Sequence, residues 1–322
     1  MKDLSGKIAV VTGGGTGMGR ELVRQLIAQG CDVATCDIVQ ENLEQTLDIG
    51  KKEAPQGVRL MGSICDVAKE QEVSEFREQV KDEFRTNHIN LLFNNAGIGG
   101  GGSFVKSEQS EWERCFNICW FGVYNFSRAF LQMLINSDEG HVINTSSVNG
   151  FRASLGGNIP HTAYSAAKFA VKGFTEALIN DFRFNAPHLK ASVVMPGWVG
   201  TDIALNTPKI LGLKEPKDLS DEEIDEIREA QIKFGDLDSE SKSSNEEFRR
   251  NLEASGTEYK KAPVSSAQAA EIILKGVKND QWRILIGRDA EALDKAVRKD
   301  PLKAYDLDFS EKVWSTIPQT EN

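Results

Sequence analysis

Short apolar runs alternate with longer amphipathic stretches from residue 7 to about residue 200. The short runs, rich in β-branched residues, predict buried strands, and the longer stretches predict helices with one apolar face. Strands that alternate with helices are typical of βαβ units around a parallel sheet. We therefore expect an α/β fold: a doubly wound, parallel, seven-stranded, Rossmann-like sheet with helices on both faces. The predicted strands are Lys7–Thr12, Asp32–Cys36, Val58–Gly62, Asn90–Asn94, His141–Ser146, Lys190–Met195 and Arg283–Ile286.

Residues 204–262 depart from this pattern. They hold 15 Asp/Glu against 10 Lys/Arg, which is half of the chain's formal net charge of −10. Ser220–Glu223 has the pattern of a capping box for a helix to about Phe234, and Asn245 is placed to cap a second helix to Ala254. This composition favours a helical insertion without a large core of its own. A partly disordered acidic loop is the alternative.

The other segments fit one domain. Helical patterns return at Ala267–Val277 and Asp289–Arg298, on either side of the last predicted strand. We expect a single dinucleotide-binding catalytic domain over residues 1–322, with 204–262 as a helical insertion on the substrate side, near the C-terminus, and 300–322 as a C-terminal tail.

Composition excludes several classes of protein. The net charge of −10 argues against a nucleic-acid partner, which usually requires a basic surface. No apolar stretch approaches the length of a membrane span or a secretory signal. Five cysteines without a CxxC pattern suit free thiols in a reducing compartment, and no metal site is predicted. We expect a soluble, cytoplasmic protein with no membrane span.

A glycine-rich loop, Gly13-Gly-Gly-Thr-Gly-Met-Gly19, directly follows the first predicted strand and precedes an amphipathic helix. Glycines there permit a tight turn and a close backbone approach to a pyrophosphate, whose charge is met by the free N–H groups and the dipole of the helix. The strand–turn–helix setting therefore predicts dinucleotide binding.

Asp37 indicates which dinucleotide is bound. It ends the second predicted strand, where a carboxylate can hydrogen-bond the adenosine ribose hydroxyls and repel a 2′-phosphate. The pattern favours NAD as the cofactor and makes NADP the less favoured choice, although Arg20 and Arg24 on the first helix leave NADP open. A solvated turn residue is the alternative interpretation of Asp37.

Together these residues resemble the short-chain dehydrogenase/reductase family, in its single-domain subgroup with TGxxxGxG and YxxxK motifs. The resemblance covers residues 5 to 203, resumes weakly near 265–290 and is absent across the insertion. Its motifs, in chain order, are Thr12–Gly19, Asp66-Val67, Asn94-Asn-Ala-Gly97, Asn117, Asn144-Thr-Ser-Ser147, Tyr164-Ser-Ala-Ala-Lys168, and Pro196-Gly197 with Thr201. The cofactor-binding residues that we predict, partly from this resemblance, are Gly13, Gly15, Thr16, Gly17, Met18, Gly19, Asp37, Asp66, Val67, Asn95, Ala96, Gly97, Tyr164, Lys168, Pro196, Gly197, Val199 and Thr201.

The predicted catalytic residues are Asn117, Ser147, Tyr164 and Lys168. Lys168 lies one helical turn beyond Tyr164, where its charge can stabilise a phenolate that exchanges a proton with an alcohol. Ser147 is preferred over Ser146 as the donor to the substrate oxygen, because the second serine usually serves in the family and neighbours on a strand face opposite sides. Asn117 would complete a proton relay through water to Lys168, or it would satisfy backbone carbonyls.

The predicted function is hydride transfer between NAD(H) and a secondary alcohol or ketone. An epimerase or dehydratase on the same scaffold and a catalytically silent NAD-binding regulator are the alternatives. Seventeen positions separate Ser147 from Tyr164, more than is common in the family, so residues 152–160 contain an insertion beside the site. A bulky hydrophobic substrate is favoured if apolar residues line a pocket there, whereas packing of the insertion is the alternative. These residues are Leu155, Ile159, Trp198, Ile203 and Leu205.

One further expectation concerns assembly. The apolar stretch Cys115–Leu134 is rich in aromatic residues and could bury one face on the sheet and another against a second subunit. The family resemblance implies a homodimer or homotetramer. Core packing alone is the alternative.

Overall fold

The computed structural model describes residues 1–100, 102–154, 160–234, 237 and 243–317. Seven strands form one parallel sheet, and two short strands, β7 and β8, pair beside it. In chain order the strands are β1 (Ile8–Thr12), β2 (Asp32–Asp37), β3 (Leu60–Ile64), β4 (Leu91–Asn94), β5 (Gly140–Thr145), β6 (Leu189–Pro196), β7 (Val199–Gly200), β8 (Val264–Ser265) and β9 (Arg283–Ile286). The fold class predicted from the sequence is confirmed.

Helices cover both faces of the sheet. Their order is α1 (Gly17–Ala28), α2 (Gln40–Glu53), α3 (Glu70–Phe84), α4 (Gln109–Phe116), α5 (Gly122–Ile135), α6 (Thr162–Asn185), α7 (Ile203–Leu211), α8 (Asp221–Phe234), α9 (Asn245–Glu258), α10 (Ser266–Lys278), α11 (Arg288–Lys299) and α12 (Phe309–Trp314). Apolar side chains from the helices and from both sides of the sheet form two main core clusters. Within the described part of the chain, no helix combines the length and apolar character that crossing a bilayer requires.

The order of the strands determines where a ligand binds. Across the sheet the order is β3-β2-β1-β4-β5-β6-β9, so the chain reverses its direction of progress between β1 and β4. In open α/β sheets a crevice forms at such a switch point, beyond the carboxyl ends of the strands. The glycine loop after β1 and the segment after β4 both lie at this edge.

Three local predictions are wrong in detail. Val58 precedes β3 because its N–H is used in a turn with Pro55 O, at 3.1 Å. The stretch Cys115–Leu134 is not one regular helix, since a π-helical turn (Asn117–Phe121) separates α4 from α5. Ser244, rather than Asn245, caps α9, with its hydroxyl accepting the Glu247 N–H at 3.2 Å.

The insertion contains three helices, α7, α8 and α9, and the capping box predicted at Ser220 is present. Ile224 of α8 and Phe248 of α9 are buried and give this region a small apolar centre. Helix α7 begins at Ile203 and connects the insertion to the edge of the sheet where β1 and β4 end. Residues 235–236 and 238–242, which belong to the polar stretch between α8 and α9, lie outside the described residues.

Candidate active site

The glycine loop between β1 and α1 lies at one side of a cleft at the carboxyl edge of the sheet. Gly13 and Gly17 have positive φ angles of 66° and 55°, which favour glycine. A β-carbon at Gly13 would lie 2.8 Å from Ala96 Cα, so the next loop leaves no space for a side chain. Thr16, Gly17 and Met18 line the cleft at the N-terminus of α1, where unpaired N–H groups provide a site for a pyrophosphate.

The cleft opens to solvent, and its empty space is about 860 Å³ when the solvent at its open side is counted. Most residues predicted to bind a cofactor line it, namely Gly13, Thr16, Gly17, Met18, Asp37, Asp66, Val67, Asn95, Ala96, Gly97 and Thr201. Ile203, predicted as a pocket residue, also lines it, whereas sequence reasoning missed further lining residues: Ile38, Val39, Cys65, Ile98, Arg114, Ile118, Asp202, Asn206 and Ile210. Gly15 and Gly19 do not line the cleft but pack behind it, against Asp37 and the Gly13 carbonyl.

Asp37 is held by backbone N–H groups at the end of β2. Its Oδ2 accepts the Gly15 N–H at 2.8 Å, and its Oδ1 accepts the Val39 N–H at 2.9 Å. Burial raises the pKa of Asp37, whereas these hydrogen bonds and the Arg20 charge lower it. The carboxylate therefore has a fixed orientation and keeps lone pairs for the hydroxyls of a ligand.

Arg20 and Arg24, the two arginines that could favour NADP, bind other groups of the protein. Arg20 donates to the carbonyl of Gly15 and, at 2.9 Å, to the hydroxyl of Thr46. Arg24 pairs with Glu21 and Glu53. Neither residue lines the cleft.

An ion pair between Asp66 and Arg114 forms part of the wall of the cleft. Asp66 is buried, and its Oδ2 lies 2.8 Å from Arg114 Nη1. Both residues line the cleft, next to Val67. The predicted cofactor-binding segment Asp66-Val67 therefore has a cationic neighbour, Arg114 of α4, which the sequence motif did not indicate.

The Asn94–Gly97 segment joins the central strands. Asn94 Nδ2 donates to Asn144 Oδ1 at 2.7 Å, across β4 and β5. The Thr12 hydroxyl accepts the N–H groups of Asn95 and Ala96, both at 3.0 Å. Since Ala96 also packs on Gly13, this segment fixes the glycine loop relative to β4 and β5.

Ser146 and Ser147 have different surroundings. The Ser146 hydroxyl is buried and donates to the Lys168 carbonyl at 2.7 Å, so it is committed to α6. The Ser147 hydroxyl accepts the Asn149 N–H at 3.2 Å and lies near enough to the Tyr164 hydroxyl to lower its pKa. This arrangement supports Ser147, not Ser146, as the serine of the site.

Tyr164 and Lys168 lie one turn apart on α6, as predicted. Lys168 is buried, and its Nζ is 5.4 Å from the centre of the Tyr164 ring and donates to the Thr145 carbonyl at 2.9 Å. Burial raises the pKa of Tyr164, and the hydrogen bond with Ser147 opposes that shift. A β-carbon at Gly97 would lie 3.4 Å from Lys168 Nζ, which brings this pair next to the cleft.

Cys119 also belongs to this cluster, and sequence reasoning missed it. Its thiol is fully buried, lies 3.2 Å from the Ile98 carbonyl and would lie 3.7 Å from a β-carbon at Gly97. Hydrogen bonding with Cys115 and the charge of Lys168 lower the pKa of Cys119 to about 6, although burial opposes them. The only sequence signal was the four-residue spacing of Cys115 and Cys119, which puts both on one helix face.

Asn117 stands two residues before Cys119, and residues two apart on a helix do not face the same side. Its carbonyl accepts the Gly122 N–H within the π-helical turn. A relay role for Asn117 stays a prediction.

The loop after β6 closes the remaining side. Gly197 N–H donates to the Ile286 carbonyl at 2.9 Å, and Trp198 N–H donates to Asp289 Oδ2 at 2.6 Å. The predicted residues Pro196 and Val199 are buried at this loop, and Thr201 continues to the cleft, where it packs on Gly17. The described residues contain no group of three side chains that could hold a metal ion.

Helix α7 covers the cleft from the insertion side. Asn206 Nδ2 donates to the Thr16 hydroxyl at 3.2 Å, and the Thr207 hydroxyl accepts the Gly99 N–H at 2.9 Å. Ile203 lines the cleft, whereas Leu205 packs on Gly256 of α9. Trp198 lies at a second, open cavity beside α9, and Leu155 and Ile159 lie outside the described residues.

Comparisons with known proteins agree with this geometry. A family model described as short chain dehydrogenase matches residues 7–209. The chain is 32% identical over 298 residues to SadH of Mycobacterium tuberculosis, a protein named as an oxidoreductase, with 92% of each chain covered. It is 30% identical over 206 residues to a 3alpha-hydroxysteroid dehydrogenase of Mediterraneibacter gnavus, which covers 64% of this chain and 79% of that protein. A solved short chain dehydrogenase/reductase of Burkholderia phymatum, in complex with NAD, has the same fold at a TM-score of 0.71 and 24% identity, over 94% of this chain and 96% of that one.

Proposed function

Because the chain belongs to the short chain dehydrogenase family, we propose that it is an NAD-dependent dehydrogenase or ketone reductase acting on a secondary alcohol or its ketone. The observation that carries this proposal is that Ser147, Tyr164 and Lys168 lie together, with Lys168 Nζ next to Gly97, a residue that lines the cleft. Hydroxyl donors and a buried cation lie together where a substrate oxygen requires them.

The bound nicotinamide would supply or accept the hydride. This chain's own residues position the substrate and move the proton. The Ser147 hydroxyl donates to the substrate oxygen and holds it against Tyr164. In oxidation the Tyr164 phenolate takes the hydroxyl proton, and in reduction the Tyr164 hydroxyl returns it.

Lys168 makes this proton transfer possible. Burial raises the pKa of Tyr164, so the tyrosine alone is a poor base near neutral pH. The Lys168 ammonium, fixed by the Thr145 carbonyl, stabilises the phenolate through its charge. Its Nζ also lies close enough to Gly97 to hold a hydroxyl of a cofactor in the cleft.

Asp37 supports NAD as the preferred cofactor. Its fixed carboxylate suits two ribose hydroxyls and would repel a 2′-phosphate. Arg114 is the only arginine or lysine among the described residues that line the cleft, and it pairs with Asp66. Arg20, whose charge reaches Asp37, is bonded to neutral groups and does not line the cleft, so no lysine or arginine among the described lining residues is free to accept the additional phosphate.

We propose a bulky hydrophobic substrate. Apolar side chains gather at the cleft, including Ile98, Ile118, Ile203 and Ile210. A relative of the chain is named as a 3alpha-hydroxysteroid dehydrogenase, and a steroid is a bulky secondary alcohol. Leu205 supports the alternative of lid packing, because it contacts α9 instead of the cleft.

A homodimer or homotetramer is also proposed. Phe121 on the π-helical turn and Phe169 on α6 are each 42% exposed, although both are large apolar side chains. A second subunit would remove them from water. Sedimentation of the 35.5 kDa chain should give a mass two or four times larger, and a monomer at micromolar concentration would refute this part.

The five cysteines support a cytoplasmic location. All five are free and buried in the structure, which suits a reducing compartment. Fractionation of cells that produce the protein tests this expectation, and recovery outside the cytoplasm would contradict it.

The test of the function is turnover by the purified protein. NAD and NADP would each be supplied with a panel of secondary alcohols that includes steroids, short aliphatic alcohols and sugars, while absorbance of the reduced nicotinamide is followed. We expect turnover of apolar alcohols with a higher kcat/KM for NAD than for NADP. Tight NAD binding without turnover of any alcohol or ketone would favour the regulator instead, and a preference for NADP would overturn the cofactor assignment alone.

A further inference from the structure

The C-terminal tail packs against the loop that follows Ser147. We name residues Ala304–Ser310 the C-terminal strut. Arg152 Nε donates to the Ala304 carbonyl at 2.8 Å, and Arg152 Nη2 donates to the Ser310 hydroxyl at 3.0 Å. The guanidinium also lies over the Phe309 ring, 4.8 Å from its centre. A segment about 150 residues later in the chain therefore holds this loop.

Arg152 is buried among neutral partners. Its relative exposure is 4%, and its third hydrogen bond is to the Ser154 carbonyl at 3.0 Å. Burying a guanidinium is costly unless its donors are satisfied, and here three donors of the planar group are satisfied by groups on both sides of the contact. That geometry joins the loop to the C-terminal strut and fixes their relative position.

Two more contacts strengthen the same junction. The Ala153 N–H donates to the Tyr305 hydroxyl at 3.0 Å. Val148 is buried in a separate apolar cluster with Ala304, Phe309 and residues of α11 and α12. This cluster is separate from the two main cores, and it joins the loop and the tail to α11 and to Leu285 of β9.

The loop transmits this restraint to Ser147 over a short distance. Arg152 N–H donates to the Val148 carbonyl at 3.1 Å, and Gly150 N–H donates to the Ser147 carbonyl at 2.8 Å. Asn149 Nδ2 donates to Ser165 on α6 at 3.0 Å, beside Tyr164. Residues 147–152 are thus one compact hydrogen-bonded turn, and a shift of Arg152 would move Ser147.

We infer that the C-terminal strut is a positioning element of the active site, which acts through Arg152 to hold the Ser147 hydroxyl in place beside Tyr164. The role of the C-terminal strut in catalysis rests on the proposed function, whereas its effect on the position of Ser147 beside Tyr164 does not. The reason for an arginine at position 152 is then the joining of two distant segments, not recognition of a charged substrate.

The first test needs no substrate. The protein would be labelled with 13C at the tyrosine Cζ atoms, and the signal of Tyr164 assigned by its loss in Tyr164→Phe. In Arg152→Met this signal should move towards its position in Ser147→Ala. The matched control is Arg250→Met, since the Arg250 side chain is 66% exposed on α9 and its partner Glu246 is 81% exposed. An unmoved Tyr164 signal in folded Arg152→Met would overturn the inference.

A milder variant covers the case in which Arg152→Met does not fold. Tyr305→Phe removes only the hydroxyl that accepts the Ala153 N–H, so the fold should persist. We expect the Tyr164 signal to move in the same direction by a smaller amount. An unmoved signal in this variant, when Arg152→Met cannot be purified, would count against the C-terminal strut.

Kinetics then separate positioning from general stability. With any alcohol that the wild type oxidises, Arg152→Met should lower kcat at least tenfold with NAD affinity unchanged, and Arg152→Lys should recover little because lysine lacks the planar fork. An unchanged kcat alongside a shifted Tyr164 signal would refute the catalytic role. If the wild type oxidises nothing, the proposed function fails, yet the Tyr164 signal still decides whether the C-terminal strut positions Ser147.

Discussion

The two ends of the cleft are built in different ways. At the end that contains Asp37, the glycine loop, α1 and β2 come from one stretch of chain, and backbone N–H groups fix the carboxylate. At the other end, Ser147, Lys168 and Cys119 come from separate elements, and the C-terminal strut supports one of them. The first end recognises its ligand through a rigid motif that one local stretch of chain forms. The geometry of the second end depends on packing between segments that are distant in the sequence.

This difference implies that damage at the two ends should have different kinetic effects. A change near Asp37 should alter the affinity and choice of cofactor while the chemical step persists. A change near Tyr164 should alter the chemical step while the cofactor still binds. The following variants test whether the ends are separable in this way.

Tyr164→Phe should have the largest effect. Removal of the hydroxyl that we propose exchanges the proton should lower kcat about a thousandfold, as expected for loss of a general acid–base group. In the wild type, kcat/KM for oxidation should rise with pH, because the phenolate fraction grows as pH approaches the raised pKa of Tyr164. This rise should disappear in the variant.

The control for Tyr164→Phe is Tyr124→Phe, which removes a hydroxyl from a tyrosine that is 43% exposed on α5. It should retain wild-type turnover. NAD binding, followed by fluorescence titration, should be equal in all three proteins. A large loss of NAD affinity in Tyr164→Phe would show that the two ends are not separable.

Asp37→Asn should have the next largest effect, at the opposite end. An asparagine loses the charge and can accept only through one oxygen, so one of the Gly15 and Val39 N–H groups loses its acceptor. We expect NAD affinity to fall about 10-fold to 100-fold and discrimination against NADP to weaken, with kcat at saturating NAD nearly unchanged. Asp48→Asn, on the exposed side of α2, is the matched control. Unchanged discrimination would contradict the role of Asp37.

The two ends also differ in how far the sequence predicts them. The glycine loop and Asp37 lie at one cleft, as the sequence predicts, because strand, turn and helix are neighbours along the chain and their spacing determines the geometry. Their role in cofactor binding stays a prediction. Cys119 was missed because Asn117 was predicted as the site residue of this helix. Two positions along a helix reverse the direction of a side chain, and the π-helical turn at Asn117 alters the helical period further. The contact between Arg152 and Ala304 joins residues too distant for any periodic pattern to reveal.

Cys119→Ser should have the smallest effect, and it tests whether the second end contains a thiolate. Lys168 and Cys115 lower the pKa of Cys119 to about 6 from an ordinary value near 9. A group whose pKa is lowered by folding adds stability above its ordinary pKa, and this contribution is lost as pH falls through the lowered pKa. The Tm difference between wild type and Cys119→Ser should therefore grow by about 2 °C or more between pH 6 and pH 9. Burial raises the pKa of Cys31, so the difference for Cys31→Ser should stay level up to about pH 8 and fall above it, as the unfolded thiol ionises. Parallel pH profiles for the two variants would mean that Cys119 stays a neutral thiol, and that Tyr164 and Lys168 work without an anionic neighbour.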